Sequence, residues 1–168
     1  EKENELILYE QNYYELKESK KNATIRIYGM RKKINTLCLM SGTYPKKDNE
    51  IALDRVYAKN NNYKNNDTIR IAGKNYTITG MVALPDYSCL FSDNADMMFD
   101  SVNFGVAVMT DKALTQLDQN KLTYNYAWYY QKDTKENVRS FHRKTDKESD
   151  HYILCSKICQ QSDQLYRR

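Results

Sequence analysis

The sequence is poor in the residues that usually carry chemistry. It has two histidines, His142 and His151, nine positions apart, with no H-E-x-x-H and no third histidine. That spacing offers neither a zinc site nor an obvious triad partner. Ser41 and Ser88 lie outside any G-x-S-x-G elbow, and neither a P-loop nor a G-x-G-x-x-G occurs. No catalytic residue, cofactor or metal is therefore expected. No apolar run approaches the roughly 20 residues of a membrane span; the longest, Phe104–Met109, has the length of a strand. No leader or lipidation signal is visible, and both ends are charged, as expected of a segment from a longer chain.

Charge of one sign is also lacking. The net charge is +4, and lysines and arginines are interleaved with acidic residues throughout. No basic stripe is available to follow a phosphate backbone, which argues against nucleic acid as a partner. The four cysteines, Cys38, Cys89, Cys155 and Cys159, do not form the two close pairs of a structural zinc site. Cys155 and Cys159 share a face if their segment is helical. Cys38 and Cys89 sit among apolar residues and are expected to be buried as small hydrophobes.

Apolar residues make up 40% of the chain, enough for a core, and 168 residues fit one domain or a domain with a smaller lobe. The 15 tyrosines, with frequent Asn and Lys, reflect an AT-rich coding bias more simply than a binding role.

The chain divides readily into elements. Glu5–Tyr9 reads as a strand, 10–22 as a helical stretch with Asn12 available as N-cap and Tyr13, Leu16 and Lys20 on one side, and Ala23–Gly29 as a second strand. This predicts a β-α-β unit with parallel strands. Asn35–Gly42 is a strand stopped by Gly42 and Pro45, Glu50–Leu53 a short strand, and Asp54 the cap of a helix beginning at Arg55. Ile69/Ile71 and Tyr76/Ile78 alternate around Gly73 as a β-hairpin, and Gly80 marks a bulge or a close approach of backbones. After Pro85 an acidic loop carries Asp86, Asp93, Asp96 and Asp100. It lacks the order of an EF-hand loop and reads as solvated.

Phe104–Met109 is a strand, and Thr110 or Asp111 caps a helix with Ala113, Leu114 and Leu117 inward. Residues 121–130 read as one strand with Tyr124, Tyr126 and Trp128 on a face. With Tyr130, these aromatics are a candidate ligand or partner surface, against the plainer reading of a half-buried strand. A helix within 135–144, a strand at 151–156 and a helical tail complete the chain. The fold class is α+β. Residues 1–35 and 122–168 are expected to form a discontinuous β-α-β lobe, and residues 36–121 an inserted β-rich lobe.

The run from Ser41 to Ser88 has an ordered pattern. Gly42, Pro45, Glu50, Ile51, Asp67, Ile69, Gly73, Tyr76, Ile78 and Gly80 are followed by Pro85, Asp86 and Tyr87. This series resembles the extracytoplasmic (MacB-like periplasmic core) domain of FtsX/MacB-like ABC transporter permeases of the Gram-positive type. Asn66 stands where that family usually places Gly before Asp67; Asn tolerates the left-handed region, so the turn is expected to survive.

The resemblance implies a porter-like lobe with a β-rich insertion, and transmembrane helices flanking it in the parent protein. It further implies a cytoplasmic ATP-binding subunit that this domain does not touch, and an extracellular position at the cell membrane. Cargo would be a peptide, lipid or lipoprotein, and a second permease ectodomain is a further candidate partner. The alternatives are a free-standing secreted binding module and, on the four loop aspartates alone, a metal-dependent hydrolase. Glu50 and Asp54, which look at first like an acid pair, are expected to be architectural.

Overall fold

Residues 12–20 are the first departure from these expectations: they form a strand and a turn, not a helix. The computed structural model describes residues 6–87, 89–92 and 98–130. In order these give β1 (Leu6–Glu10), β2 (Tyr13–Lys17), β3 (Thr24–Tyr28), β4 (Cys38–Gly42), β5 (Glu50–Asp54), α1 (Arg55–Asn60), β6 (Thr68–Ile71), β7 (Lys74–Ala83), β8 (Phe104–Val108), α2 (Asp111–Thr115), a 3-10 turn (Gln119–Lys121), β9 (Leu122–Thr123) and β10 (Tyr126–Tyr130). The calls on 135–144 and 151–168, with His142, His151, Cys155 and Cys159, lie outside the described residues, as do Ser88, Asp93 and Asp96.

Tertiary pairing overrides the helical spacing at β2. Tyr14 and Leu16 are buried while Glu15 and Lys17 are exposed, the period of a strand. β2 pairs antiparallel with β3, placing Glu15 opposite Arg26 and Lys17 opposite Thr24. Both pairs bond across the strands, Glu15 to Arg26 at 2.6 Å and Lys17 Nζ to Thr24 Oγ1 at 2.8 Å. The Glu18 carboxylate holds the turn between the strands by accepting from the Lys20 and Lys21 amides. The parallel β-α-β unit is thus replaced by an antiparallel hairpin, and β1 pairs with β10 instead.

The main sheet runs β4-β7-β5-β8-β3-β2-β9, with β6 also on β7. β7 is ten residues long: β6 pairs with its first half and β4 with its second, along the same edge, while β5 takes the other edge. Beyond β2, a bridge joins Glu18 to Ile71 at the end of β6. It is held by Ser19 N to Arg70 O at 2.8 Å and Ala72 N to Lys17 O at 3.0 Å. The strands β6-β7-β5-β8-β3-β2 therefore close into a ring.

The core gathers around that ring, with Ile25, Ile27, Ile51, Leu53, Ile69, Ile78, Val106 and Val108 fully buried. Each such side chain contributes about 1.5–3 kcal/mol relative to exposure. Every position of β8 is buried, as suits a strand covered on both faces. α1 packs there closely enough that a Cβ on Gly105 would lie 2.5 Å from the Tyr57 ring.

Two compact units result: residues 1–10 with 126–168, and residues 11–125. The expected boundaries at 35/36 and 121/122 fall inside the second unit, where β2 and β3 share a sheet with β4–β8. The single strand expected over 121–130 is two, β9 on β2 and β10 on β1. β8 and α2 accordingly lead to a strand that pairs with β2, not with β8. Among the described residues, no helix is long and apolar enough to cross a membrane.

Candidate functional site

The motif residues fall into two groups. The first is the corner from β4 to β5. Gly42 has φ +76° and Gly80 is its cross-strand partner, at the turnover of β7 from β6 to β4. A Cβ on Gly42 would strike the Thr79 carbonyl oxygen, and one on Gly80 would lie 2.5 Å from Thr43 O. Both glycines therefore serve close backbone approach. Pro45 is buried in the following turn.

Glu50 closes that turn on itself. Its carboxylate accepts from the Lys46 amide at 2.7 Å and the Lys47 amide at 3.0 Å. The Lys46 amide bond is the main cause holding its pKa below the ordinary carboxylate value. Asp48 joins the same turn to α2 through Lys112 at 3.1 Å and Gln116 at 3.0 Å. Asp54, four residues along the strand and about 13 Å from Glu50 at the usual rise, is buried. It caps α1 through the Val56 amide at 2.8 Å and the Tyr57 amide at 3.1 Å. Burial pushes the Asp54 carboxyl above its ordinary value, against the pull of those amides. The two carboxylates are therefore not an acid pair. Ile51 between them is fully buried.

The hairpin completes the group. Asn66 adopts φ +73°, so Asn does take the left-handed conformation. Asp67 Oδ2 accepts from the Lys64 amide at 2.8 Å. Ala72 and Gly73 both have positive φ, the two-residue turn that suits the twist of a hairpin.

The second group is the stretch after β7, where Pro85, Asp86 and Tyr87 lie over β3. The Tyr87 hydroxyl accepts from Arg26 Nη1 at 2.8 Å and lies 2.6 Å from the Tyr28 hydroxyl. Arg26 also reaches the Ser92 carbonyl at 2.7 Å, and its guanidinium stands 4.6 Å from the Tyr13 ring centre. Arg31 donates through Nη1 to both oxygens of Asp86, at 2.6 and 2.7 Å, and stacks 4.0 Å above Tyr28. Its Nε and Nη2 are buried and have no hydrogen-bond partner among the described residues.

Burial pushes the Tyr28 and Tyr87 hydroxyls above their ordinary values, so both remain protonated at neutral pH. The network is a strap across the outer face of β3, with no ionised nucleophile in it. Arg26, Tyr28 and Arg31 escaped the sequence reading. The signal is present, in that Arg26 and Tyr28 alternate with Ile25 and Ile27, but nothing local shows what covers that face.

The remaining candidates separate. Tyr124 is 69% exposed and belongs to the 11–125 unit, whereas Tyr126, Trp128 and Tyr130 lie on β10 in the other. The four aromatics do not form one strand face. In the acidic loop, Asp86 is engaged by Arg31. Asp100 accepts from the Val102 and Asn103 amides and from Asn103 Nδ2. Among the described residues no three metal-ligating side chains cluster. Cys38 and Cys89 are free thiols and are exposed, not buried as expected. Cys38 begins β4, an edge strand whose residues are mostly exposed.

No family model matches this chain, and no curated protein matches it. Solved structures do. One is the extracellular domain of the noncanonic ABC-type transporter YknZ from Gram-positive bacteria, at 9% identity and a TM-score of 0.44. It matches 77% of this chain and 68% of its own. The chain is similar to an ABC transporter ectodomain. A second match is the periplasmic region of MacB from Actinobacillus actinomycetemcomitans, at 13% identity and a TM-score of 0.46. It matches 81% of this chain and 62% of its own. The chain thus spans about two thirds of the length of these relatives. At such scores the likeness carries no argument on its own, and function is read from the motif residues and their geometry.

Proposed function

We propose that this chain is a non-catalytic extracellular domain of an ABC transporter permease of the FtsX/MacB type. Its role is to couple ATP hydrolysis by a cytoplasmic subunit to the export or sensing of a peptide, lipid or lipoprotein outside the membrane. One observation carries the reading. The carboxylates of the ordered series, and Asp54 beside them, are engaged in architecture: Glu50, Asp54 and Asp67 by backbone amides, and Asp86 by Arg31. The series that resembles the permease ectodomains therefore works as scaffold, as a part that transmits motion requires. Gly42, Pro45, Glu50, Ile51, Asp67, Gly73 and Gly80 set the corner and hairpin; Pro85, Asp86 and Tyr87 set the strap.

In this reading the discontinuous lobe is residues 1–10 with 126–168, and the inserted lobe is residues 11–125. The ATP-binding subunit is reached only through transmembrane helices of the parent. The full-length gene tests the proposal directly. Apolar spans of roughly 20 residues should flank this segment, with an ATPase gene nearby. A complete reading frame without such spans overturns it.

A further inference from the structure

Arg26 and Arg31 hold the strap in the same way and differ at one edge. Each donates through Nη1, Arg26 to the Tyr87 hydroxyl and Arg31 to the Asp86 carboxylate. In a guanidinium, Nε–H and one Nη2–H lie side by side and point the same way, a fork that matches a carboxylate. On Arg26 that fork is filled: Nε and Nη2 both donate to Glu15 Oε1, at 2.8 and 2.6 Å. On Arg31 the same two nitrogens are buried and meet no acceptor among the described residues, in a side chain only 5% exposed.

The surroundings add donors rather than acceptors. The Tyr28 ring lies 4.0 Å from the Arg31 guanidinium, and its hydroxyl shares a single bond with that of Tyr87. Tyr87 already accepts from Arg26, so one of the two phenolic protons remains to be given. Buried donors without an acceptor are costly, and the folded chain gains when one arrives. Charge limits what that acceptor is. Arg26 and Arg31 are already matched by Glu15 and Asp86, so a singly charged, planar group leaves less unbalanced charge than a phosphate dianion.

We propose that the Nε/Nη2 edge of Arg31 is a binding site for a carboxylate, from a small acid or from the free end of a peptide. Because both nitrogens are covered, entry requires a local opening. Residues 84–87, which belong to no strand and hold Arg31 through one carboxylate, are its place. The inference does not depend on the transporter reading.

The arginine Nε–H resonances of the full chain, followed by NMR, read this edge directly. With sodium acetate as probe, against sodium chloride at the same ionic strength, the Arg31 Nε–H should shift saturably. That of Arg26, already holding Glu15, should stay. Arg31→Lys keeps the charge and loses the fork. Its acetate affinity, read from the backbone amides around Asp86, should fall at least about tenfold. Should the lysine variant not fold, the contrast between the two arginine resonances in the wild type still decides.

Glycylglycine and its C-terminal amide form a second arm. Tighter binding of glycylglycine than of acetate, with none by the amide, supports the site and names a peptide end as the source. Equal or weaker binding of glycylglycine, again with none by the amide, supports it with a small acid as the source. No saturable shift overturns the proposal, as does the same shift in chloride or with the amide. A tighter fit for inorganic phosphate, or an unchanged affinity in Arg31→Lys, overturns it as well.

Discussion

Gly42 and Gly80 face each other across β4 and β7 where neither position has room for a side chain. Gly42→Val would add both a clash with the Thr79 carbonyl and a β-branched residue at positive φ. The expected loss is at least about 3 kcal/mol. Glu50→Gln keeps one acceptor oxygen for the Lys46 and Lys47 amides and should be far milder. Denaturant midpoints of the two variants check the order. Transport by the parent protein should rank them the same way, and equal loss from both would return Glu50 to the list of chemical candidates.

Asp54 offers a sharper comparison. Asp54→Ala removes the cap of α1 and should cost about 1 kcal/mol, up to about 2 given its burial. Asp54→Asn keeps a capping oxygen and sheds a buried charge, so its stability at neutral pH should match or exceed the wild type. Thermal melting of both variants would settle the matter; an Asn variant as weak as the Ala variant would mean that the charge itself is needed.

Glu50→Gln and Asp54→Asn also differ in their pH behaviour. Asp48, Glu50 and Asp100 have folded values below the ordinary carboxylate value, from Lys112, the Lys46 amide and Asn103 respectively. Their contribution is complete above about pH 4, the unfolded value, and is lost as pH falls through the folded values. Asp54 has the opposite sign. Its raised folded value favours the folded state in acid, and that advantage is lost as pH rises through it. Urea midpoints between pH 3 and 7 should therefore fall toward acid more steeply in Asp54→Asn and less steeply in Glu50→Gln than in the wild type.

The strap should show strong coupling between partners. Arg31 and Asp86 are nearly buried, with side chains 5% and 13% exposed. Arg31→Met leaves Asp86 without its partner and should cost about 3 kcal/mol. Arg31→Met/Asp86→Leu should recover roughly half of that or more, because no buried charge remains. A double variant as unstable as the sum of its singles would show that the pair acts independently.

Local signals explain which parts of the fold were legible. The hairpin around Gly73, the cap at Asp54 and the cap at Thr110 depend on neighbours within a few residues, and the sequence spells them out. The strand at Tyr13–Lys17 depends on Thr24–Tyr28 across from it, and its residues fit either a strand or a helix. The break between β9 and β10 depends on partners more than 100 positions away, since Tyr13 pairs with Thr123 and Leu8 with Trp128. No local pattern encodes that choice. The strap was hidden for a related reason: Arg26 looks like a surface residue until Tyr87, 61 positions later, comes over it.

The pairing of β1 with β10 also sets an order of events during synthesis. Leu6 meets Tyr130 only after the whole of 11–125 has been made, and β3 waits for Phe104 before its parallel neighbour exists. Such distant contacts slow folding, because loop closure precedes any gain from the contact. The ring can assemble while the N-terminal strand is still unpaired, so the first strand to leave the ribosome is among the last to find its place.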